Sequence, residues 1–379
     1  MTVAEYYCVA SNQSTGNNMS YTKQVALRSG FSLLASLVLL GCGGATGDDA
    51  GGAKAITRLT GAGATFPYPI YSKWFDAYAR ETGVEVNYQS IGSGGGVRQF
   101  MQATVDFGAT DGPMTDEEIA GVEGNVLHIP TVLGADALTY NLPSLGEHQL
   151  RLDAGAVADI FLGRITKWND PRLAALNPGV TLPNRDLIVV HRSDGSGTTF
   201  VFVDYLAKVS TTWQEQVGVG KSVNWPVGLG GKGNEGVTQQ VRQLEGTIGY
   251  VELVYAVSNG LPVASVQNAA GQFVTPSLDA VTAAAAGVAM GPDTDFRVSI
   301  TNAMGEASYP IASYTWLLVH RNNPDAAKAG AIQSFLRWIL TPEAQAMATD
   351  LGYAPLPESV AALARTRVES LMSGGQVLK

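Results

Sequence analysis

"VVHRSDGSGTTFVF", residues 189–202, places a short polar loop between two apolar runs. The run before the loop predicts a buried strand over Leu187–Val190. The run after it, Phe200–Val209, is interpreted as a helix from its context, since its periodicity fits either element. Between them, Arg192 and Asp194 precede a series of glycines and hydroxyl residues. A helix N-terminus presents unpaired N–H donors and the positive end of the helix dipole, and glycine lets an anion approach the backbone. The stretch therefore predicts an oxyanion site at the start of a helix.

Two further segments repeat this order of strand, small-residue loop and helix. "LTGAGATFP", residues 59–67, precedes an amphipathic helical pattern, and "IGSGGGV", residues 91–97, follows the alternating strand pattern of Val84–Tyr88. Serine and threonine are also ordinary helix caps, so one such loop does not define a site. Three of them in one chain, one with an arginine, favour a shared oxyanion site.

A fourth segment, "VDFGATDGP" at residues 105–113, predicts a short strand over Val105–Ala109 followed by a turn. Asp111 then lies at the carboxyl end of the strand, where open α/β sheets place their ligands. The alternative is that Asp111 only closes an Asx turn. Because a carboxylate repels an anion unless a proton lies between them, Asp111 indicates an oxyanion that carries a hydrogen.

The composition is that of a globular chain and restricts its partners. With 379 residues, of which 45% are hydrophobic, the chain is long enough for two domains. The net charge of −9 argues against a nucleic-acid partner, because no basic stripe exists to neutralise phosphates. Both cysteines, Cys8 and Cys42, lie near the N-terminus, and the four histidines are scattered. We therefore predict no disulfide framework, no metal site and no cofactor.

The N-terminal region has the features of an export signal. Residues 1–41 contain a basic segment and an apolar stretch at Phe31–Leu40, which is too short to span a bilayer. The stretch ends in Leu-Leu-Gly-Cys, which resembles a bacterial lipobox with Cys42 as the lipidated residue. We expect a membrane-anchored lipoprotein in the periplasm or on the outer cell surface, with residues 42–55 as a flexible tether. The alternative to lipidation is a signal peptide with an incidental cysteine. Separately, Met19 is a second candidate for the start of the chain, which would place residues 1–18 before the signal.

These segments, together with others, resemble one known family. "LTGAGATFPYPIYSKWF", "NYQSIGSGGGVRQF", "VDFGATDGPMTDEE", "HRSDGSGTTFVFVDYL" and "WPVGLGGKGNEGV" are similar, in this order, to the substrate-binding protein of the bacterial phosphate-specific ABC transporter. The similarity continues to the C-terminal "FLRWILTPEAQAMATDLGYAPLP" and is weakest at residues 265–308. It implies the α/β fold of a two-domain, type II-like periplasmic-binding protein. Two mixed sheets flanked by helices would be joined by a double-crossing hinge around a central cleft.

The resemblance also implies where the domains and the site lie. Domain I would comprise residues 56–134 and 310–379, and domain II residues 135–309. The hinge crossings are expected near Thr131–Asp136 and Tyr309–Tyr314. Asp194 would orient the arginine, and Ala64 and Phe66 would act through their backbone amides. The residues that match the family's phosphate ligands are Ala64, Thr65, Phe66, Ser93, Asp111, Arg192, Ser196, Gly197 and Thr198.

The implied function is high-affinity binding of inorganic phosphate outside the cytoplasm. Hinge closure around the anion would be followed by delivery to the membrane permease subunits of an ABC importer with a cytoplasmic ATPase. Arg192 would be the only cation on the ligand, balanced by Asp194, so that mainly neutral donors hold the phosphate. Asp111 would accept the hydrogen that phosphate carries and sulfate lacks, and would thereby exclude sulfate.

Three other functions fit parts of the sequence. A phosphate-ester hydrolase would use Ser196 as nucleophile, but Asp194 stands where a nucleophile elbow has glycine, and we predict no catalysis. Nucleotide binding is not one of the three, because "GLGGKGNEG", residues 228–236, lacks the spacing of a P-loop. A phosphate sensor and a lipoprotein that binds another tetrahedral oxyanion stay open as alternatives, and Asp111 argues against the second.

Overall fold

The structure is a computed structural model that describes residues 56–123 and 125–378. The predicted leader, the tether and Cys42 lie outside the described residues. Within these two ranges, no helix combines the length and the hydropathy needed to cross a membrane.

Short strands and helices alternate along most of the described chain. The strands are β1 Arg58–Gly63, β2 Glu85–Ser90, β3 Phe107–Thr110, β4 Val126–Tyr140, β5 Arg151–Leu152, β6 Ile188–Arg192, β7 Leu229–Gly231, β8 Thr247–Glu252, β9 Ser265–Gln267, β10 Phe273–Val274, β11 Ala312–His320, β12 Asn322–Asn323, β13 Met372–Ser373 and β14 Gln376–Val377. The α-helices are α1 Tyr68–Thr82, α2 Ser93–Met101, α3 Asp116–Ala120, α4 Ala154–Phe161, α5 Pro171–Leu176, α6 Gly197–Val209, α7 Thr211–Gln216, α8 Gly233–Gln243, α9 Leu253–Ser258, α10 Leu278–Ala286, α11 Ala326–Ile339, α12 Pro342–Asp350 and α13 Glu358–Val368.

One large sheet contains most of the longer strands. Its order is β2-β1-β3-β11-β4-β8-β6-β7. In one half β1 is parallel to β2 and β3, and in the other half β6 is parallel to β7 and β8. These halves correspond to the two predicted sheets, each mixed because β4 and β11 run antiparallel to their neighbours. The halves are joined instead of separate, because β4 is long enough to pair with both.

Strand β4 changes its partner in mid-course. Residues Val126–Ala135 pair with β11, and residues Asp136–Tyr140 pair with β8. The N–H of Asp136 donates to the carbonyl oxygen of Ile311, the residue before β11 begins. Both positions lie within the segments expected to cross between domains, while the domain boundaries themselves stay a prediction.

Helix α1 shows how the sequence pattern positions the first loop. Its buried residues recur at helical spacing and include Ile70, Trp74 and Tyr78, which belong to the main hydrophobic core. The helix ends at Gly83, whose φ of 74° is the left-handed conformation that glycine adopts without strain. With this face fixed against the core, the turn before α1 is held at the end of β1.

Candidate anion-binding site

The predicted site residues lie where strands of the large sheet end. Thr65 follows β1, Asp111 follows β3, and Arg192 is the last residue of β6. Ser93 is the first residue of α2, and residues 196–198 form the N-terminus of α6. All of them are buried. Parallel strands end at the same edge of a sheet, so each half of the sheet contributes one group of these residues.

Arg192 is fixed by an ion pair that the sequence predicted. Its Nε donates to Asp194 Oδ1 at 2.8 Å and its Nη2 donates to Asp194 Oδ2 at 2.6 Å. Burial disfavours the charged guanidinium, but the contact with Asp194 outweighs burial and raises the pKa of Arg192. Burial likewise favours the neutral carboxyl of Asp194, and the arginine outweighs it and lowers the pKa of Asp194. The side chains are only 1% and 13% exposed, so this is a buried pair and not an ion pair on the surface.

The Asp111 carboxyl is held between two hydroxyl groups. Thr315 Oγ1 donates to its Oδ1 at 2.8 Å, and Ser93 Oγ donates to its Oδ2 at 3.4 Å. Burial raises the pKa of Asp111 to about 7, although Thr315, Arg192 and Ser93 all favour the charged form. The carboxyl therefore titrates near neutral pH and is able to share a hydrogen with a bound anion.

The N-terminus of α6 approaches α2 and Asp111 closely. A methyl group added at Gly197 would lie 2.4 Å from Ser93 Oγ and 2.5 Å from Asp111 Oδ2. Alongside, the N–H of Gly94 donates to the carbonyl oxygen of Gly195 at 2.8 Å. Residues 93, 111 and 197, which the sequence assigns to one site, are thus brought together.

Ser196 caps the helix that follows it. Its Oγ accepts the N–H of Thr199 at 3.0 Å, which is the ordinary N-cap contact. The capping interpretation is therefore correct, but it does not compete with anion binding. An accepting hydroxyl still has its own hydrogen to donate.

One predicted donor is wrong. The N–H of Ala64 donates to the carbonyl oxygen of Ala109 at 3.0 Å, so it is used inside the sheet between β1 and β3. Helix α1 begins at Tyr68, where the helical pattern of the sequence starts, so Thr65 and Phe66 lie in the turn that precedes it. The Phe66 amide stays a predicted ligand, and Ala64 does not.

Asn234 was not predicted, yet it lies between the two groups of site residues. Its Nδ2 donates to Thr65 Oγ1 at 2.8 Å and to Thr198 Oγ1 at 3.1 Å. Asn234 is the second residue of α8, the helix that follows β7, and it is fully buried. Residues 228–236 repeat the order of strand, glycine loop and helix that predicts the other loops, and this repeat was the available signal. Comparing residues 228–236 only with the spacing of a P-loop did not reveal this repeat.

The cluster offers an anion several hydroxyls, two helix N-termini, one guanidinium and one carboxyl. Across the described ranges, no group of histidine, cysteine, aspartate and glutamate side chains is arranged to hold a metal ion. A buried set of donors at the strand ends of two joined α/β half-sheets, with one balanced cation, defines an oxyanion-binding protein of the periplasmic-binding class.

Comparison with known proteins identifies the family. A family model described as "PBP superfamily domain" matches residues 48–343. The phosphate-binding protein PstS of Pasteurella multocida is 49% identical over 302 residues, which cover 80% of this chain and 87% of the relative. The phosphate-binding protein PstS of Methanocaldococcus jannaschii is 37% identical over 377 residues, which cover 92% and 96%. The chain belongs to the family of phosphate-binding proteins within the PBP superfamily.

A solved structure shows the same fold. The phosphate-binding protein from Stenotrophomonas maltophilia aligns with a TM-score of 0.61 at 20% identity. The alignment covers 82% of this chain and 93% of that protein. The predicted periplasmic-binding fold is therefore confirmed.

Proposed function

We propose that this protein binds inorganic phosphate outside the cytoplasm and delivers it to an ABC importer. The observation that carries the proposal is the burial of Arg192, balanced by Asp194, together with the hydroxyls of Thr65 and Ser93 and the carboxyl of Asp111. A set of mostly neutral donors suits an anion in a chain of net charge −9. Both relatives are named phosphate-binding proteins, which supports phosphate as the ligand and binding instead of catalysis as the role.

The proposed ligands come from both halves of the sheet. The hydroxyls of Thr65, Ser196 and Thr198 donate to phosphate oxygens, and the free edge of the Arg192 guanidinium donates beside them. The Ser93 hydroxyl joins them when it turns its one hydrogen from Asp111 Oδ2, 3.4 Å away, to the anion. The backbone amides of Phe66 and of residues 197–198 complete the site, since the N–H groups of a helix start have no partner within the helix. Ala64 is left out because its amide is already engaged.

Asp111 is the proposed source of selectivity. Phosphate near neutral pH carries a hydrogen that a carboxylate accepts, whereas sulfate would place an acceptor oxygen against an acceptor oxygen. A buried site built around a ligand's hydrogen rejects analogues without it by about 10⁴- to 10⁵-fold. With a pKa of about 7, Asp111 rejects sulfate only in its charged form, so the rejection grows as the pH rises above about 7.

The proposed motion is closure of domain I, residues 56–134 and 310–379, onto domain II, residues 135–309. The change of partner in β4 at Ala135 and Asp136 supports a boundary at this point. A ligand that contacts both domains favours the closed arrangement, because it gains contacts there that the open one lacks.

We also propose that Cys42 carries a lipid that keeps the protein beside its permease subunits. The support is the sequence pattern alone, since Cys42 lies outside the described residues. Labelling cells with a radioactive fatty acid tests it, with the wild type expected to incorporate label and Cys42→Ser expected to incorporate none. Equal labelling of both proteins would contradict the anchor.

Isothermal titration of the phosphate-stripped protein tests the proposed function. The wild type should bind one phosphate per chain. Arg192→Ala should weaken binding by about 10- to 100-fold, because it removes charge-assisted hydrogen bonds. Arg337→Ala is the matched control, since Arg337 also forms an arginine–carboxylate pair but with the exposed Glu369. Absence of phosphate binding in the folded wild type would refute the proposal.

A further inference from the structure

Asn234 occupies a position that links the two groups of proposed ligands. Thr65 follows β1 in one half of the sheet, and Thr198 lies in α6, the helix that follows β6 of the other half. The Asn234 side-chain amide bridges their hydroxyl oxygens at 2.8 and 3.1 Å, and the residue is fully buried.

The orientation of this amide is fixed by the backbone of β8. Asn234 Oδ1 accepts the N–H of Glu252 at 3.0 Å. A backbone N–H is always a donor, so the oxygen of the amide must face Glu252 and the NH₂ group must face the two threonines. A reversed amide would put its NH₂ group against the Glu252 N–H and lose this bond.

Both threonine oxygens therefore have their acceptor positions filled. Thr65 Oγ1 accepts from the backbone N–H of Asn234 at 3.3 Å and from its Nδ2. Thr198 Oγ1 accepts from Arg192 Nη1 at 2.9 Å and from the same Nδ2. A hydroxyl oxygen has two lone pairs, so the remaining function of each hydroxyl is to donate its hydrogen.

We infer that Asn234 is a positioning residue that turns the hydroxyl hydrogens of Thr65 and Thr198 toward the bound anion. The inference rests on the proposed phosphate site and adds to it a residue that does not itself touch the ligand. Donors oriented before the anion arrives need no rearrangement when it binds, which strengthens binding.

The test is a double-mutant cycle between Asn234→Asp and Thr65→Val, measured as phosphate affinity by isothermal titration at about pH 8. The carboxylate introduced by Asn234→Asp has nearly the same shape as the amide but accepts hydrogen bonds, so it draws the Thr65 hydrogen away from the anion. In the wild type, Thr65→Val should weaken binding by about tenfold or more, because a donor to a charged group is lost. In the Asn234→Asp background the same change should weaken binding less than about twofold.

Two outcomes would overturn the inference even where the wild type binds phosphate. The first is an equal effect of Thr65→Val in both backgrounds, which means that the carboxylate introduced by Asn234→Asp acts through its charge alone. The second is no effect of Thr65→Val in the wild type. If the wild type binds no phosphate, the proposed function fails and this inference fails with it.

Two further variants keep the test decisive. Asn322→Asp makes the same chemical change in the small sheet of β12, β13 and β14, and Thr65→Val should keep its full effect there. If Asn234→Asp does not fold, Asn234→Ala replaces it in the cycle. With Asn234→Ala, the effect of Thr65→Val should again fall below its wild-type value, and an unchanged effect would contradict the inference.

Discussion

The Asp111 carboxyl sets how the site responds to pH. Burial raises its pKa to about 7, so the unliganded protein changes from mostly protonated to mostly charged as the pH rises through neutrality. Phosphate brings its own hydrogen to this carboxyl. Sulfate has none, and it can bind only to the protein in which Asp111 is protonated. The two anions should therefore differ in their dependence on pH.

We expect the sulfate affinity of the wild type to fall about tenfold per pH unit above about pH 7 and to level off below it. The sign follows because protonated Asp111 becomes scarcer by that factor as the pH rises above its pKa. Isothermal titration with sulfate across this range measures the effect. Asp111→Asn, whose amide donates at every pH, should bind sulfate with an affinity that does not depend on pH. A flat profile in the wild type would refute this role of Asp111.

Asp136 and Glu252 are a second pair of buried carboxyls. They stand opposite each other where β4 begins to pair with β8. Both oxygens of the Asp136 carboxyl and Oε1 of Glu252 have no hydrogen-bond partner within the described residues. Burial, together with the nearby charges of Asp111 and Glu252, raises the pKa of Asp136 well above its ordinary value, although Arg192 acts in the opposite sense. Asp136 therefore favours the neutral form in the folded protein.

Asp136→Asn should raise the melting temperature at about pH 8, by about 2–4 °C for each kcal/mol by which the free energy of unfolding increases. At about pH 4 it should change the melting temperature little. A carboxyl with a raised folded-state pKa contributes stability below its unfolded pKa and loses that contribution as the pH rises through the folded pKa. The amide introduced by Asp136→Asn does not ionise, so the variant does not lose this stability as the pH rises. Thermal unfolding at the two pH values measures it, with the exposed Asp186→Asn as control. Equal effects of Asp136→Asn at both pH values would contradict the argument.

At the scale of an element, the start of α6 requires glycine because the helix meets another element there. Gly197→Ala should weaken phosphate binding by about 10- to 100-fold, since the methyl group would overlap Ser93 and Asp111 and force the helix away from them. Gly330→Ala in α11 is the control, because its methyl group meets no neighbour and should only stabilise the helix by about 0.5–1 kcal/mol. Phosphate titration and thermal unfolding of both variants separate the two effects. Wild-type affinity in Gly197→Ala would show that the close approach is not needed.

The sequence predicts the loops better than it predicts which groups within them are free. Glycine, serine and threonine after an apolar strand identify the loops at Thr65, Ser93 and Ser196, because these residue types have local reasons to precede a helix. The engagement of Ala64 with Ala109 and the bridge from Asn234 to Thr65 depend on residues far apart in the chain. Such contacts are decided by how the strands align in the sheet, which no local pattern contains.

At the scale of the whole molecule, strand β4 connects the half-sheets, and loops from both halves touch at the site. β4 passes from β11 to β8 at Ala135 and Asp136, while the N–H of Gly94 donates to Gly195 across the proposed cleft. The contact between Gly94 and Gly195 is a single hydrogen bond, unlike the continuous pairing along β4. The strand is thus suited to act as the hinge, and the loop contacts are suited to break and form.

Small-angle scattering of the phosphate-stripped and phosphate-saturated protein tests this motion. The radius of gyration should be smaller with phosphate, because the anion supplies contacts to both domains that exist only when they are closed. Gly197→Ala should stay at the larger value even at saturating phosphate, since its methyl group keeps α6 away from Ser93 and Asp111. Gly330→Ala should close as the wild type does. Identical scattering of the wild type with and without phosphate would mean that the site forms without hinge closure, and the strand ends alone would then have to hold the anion.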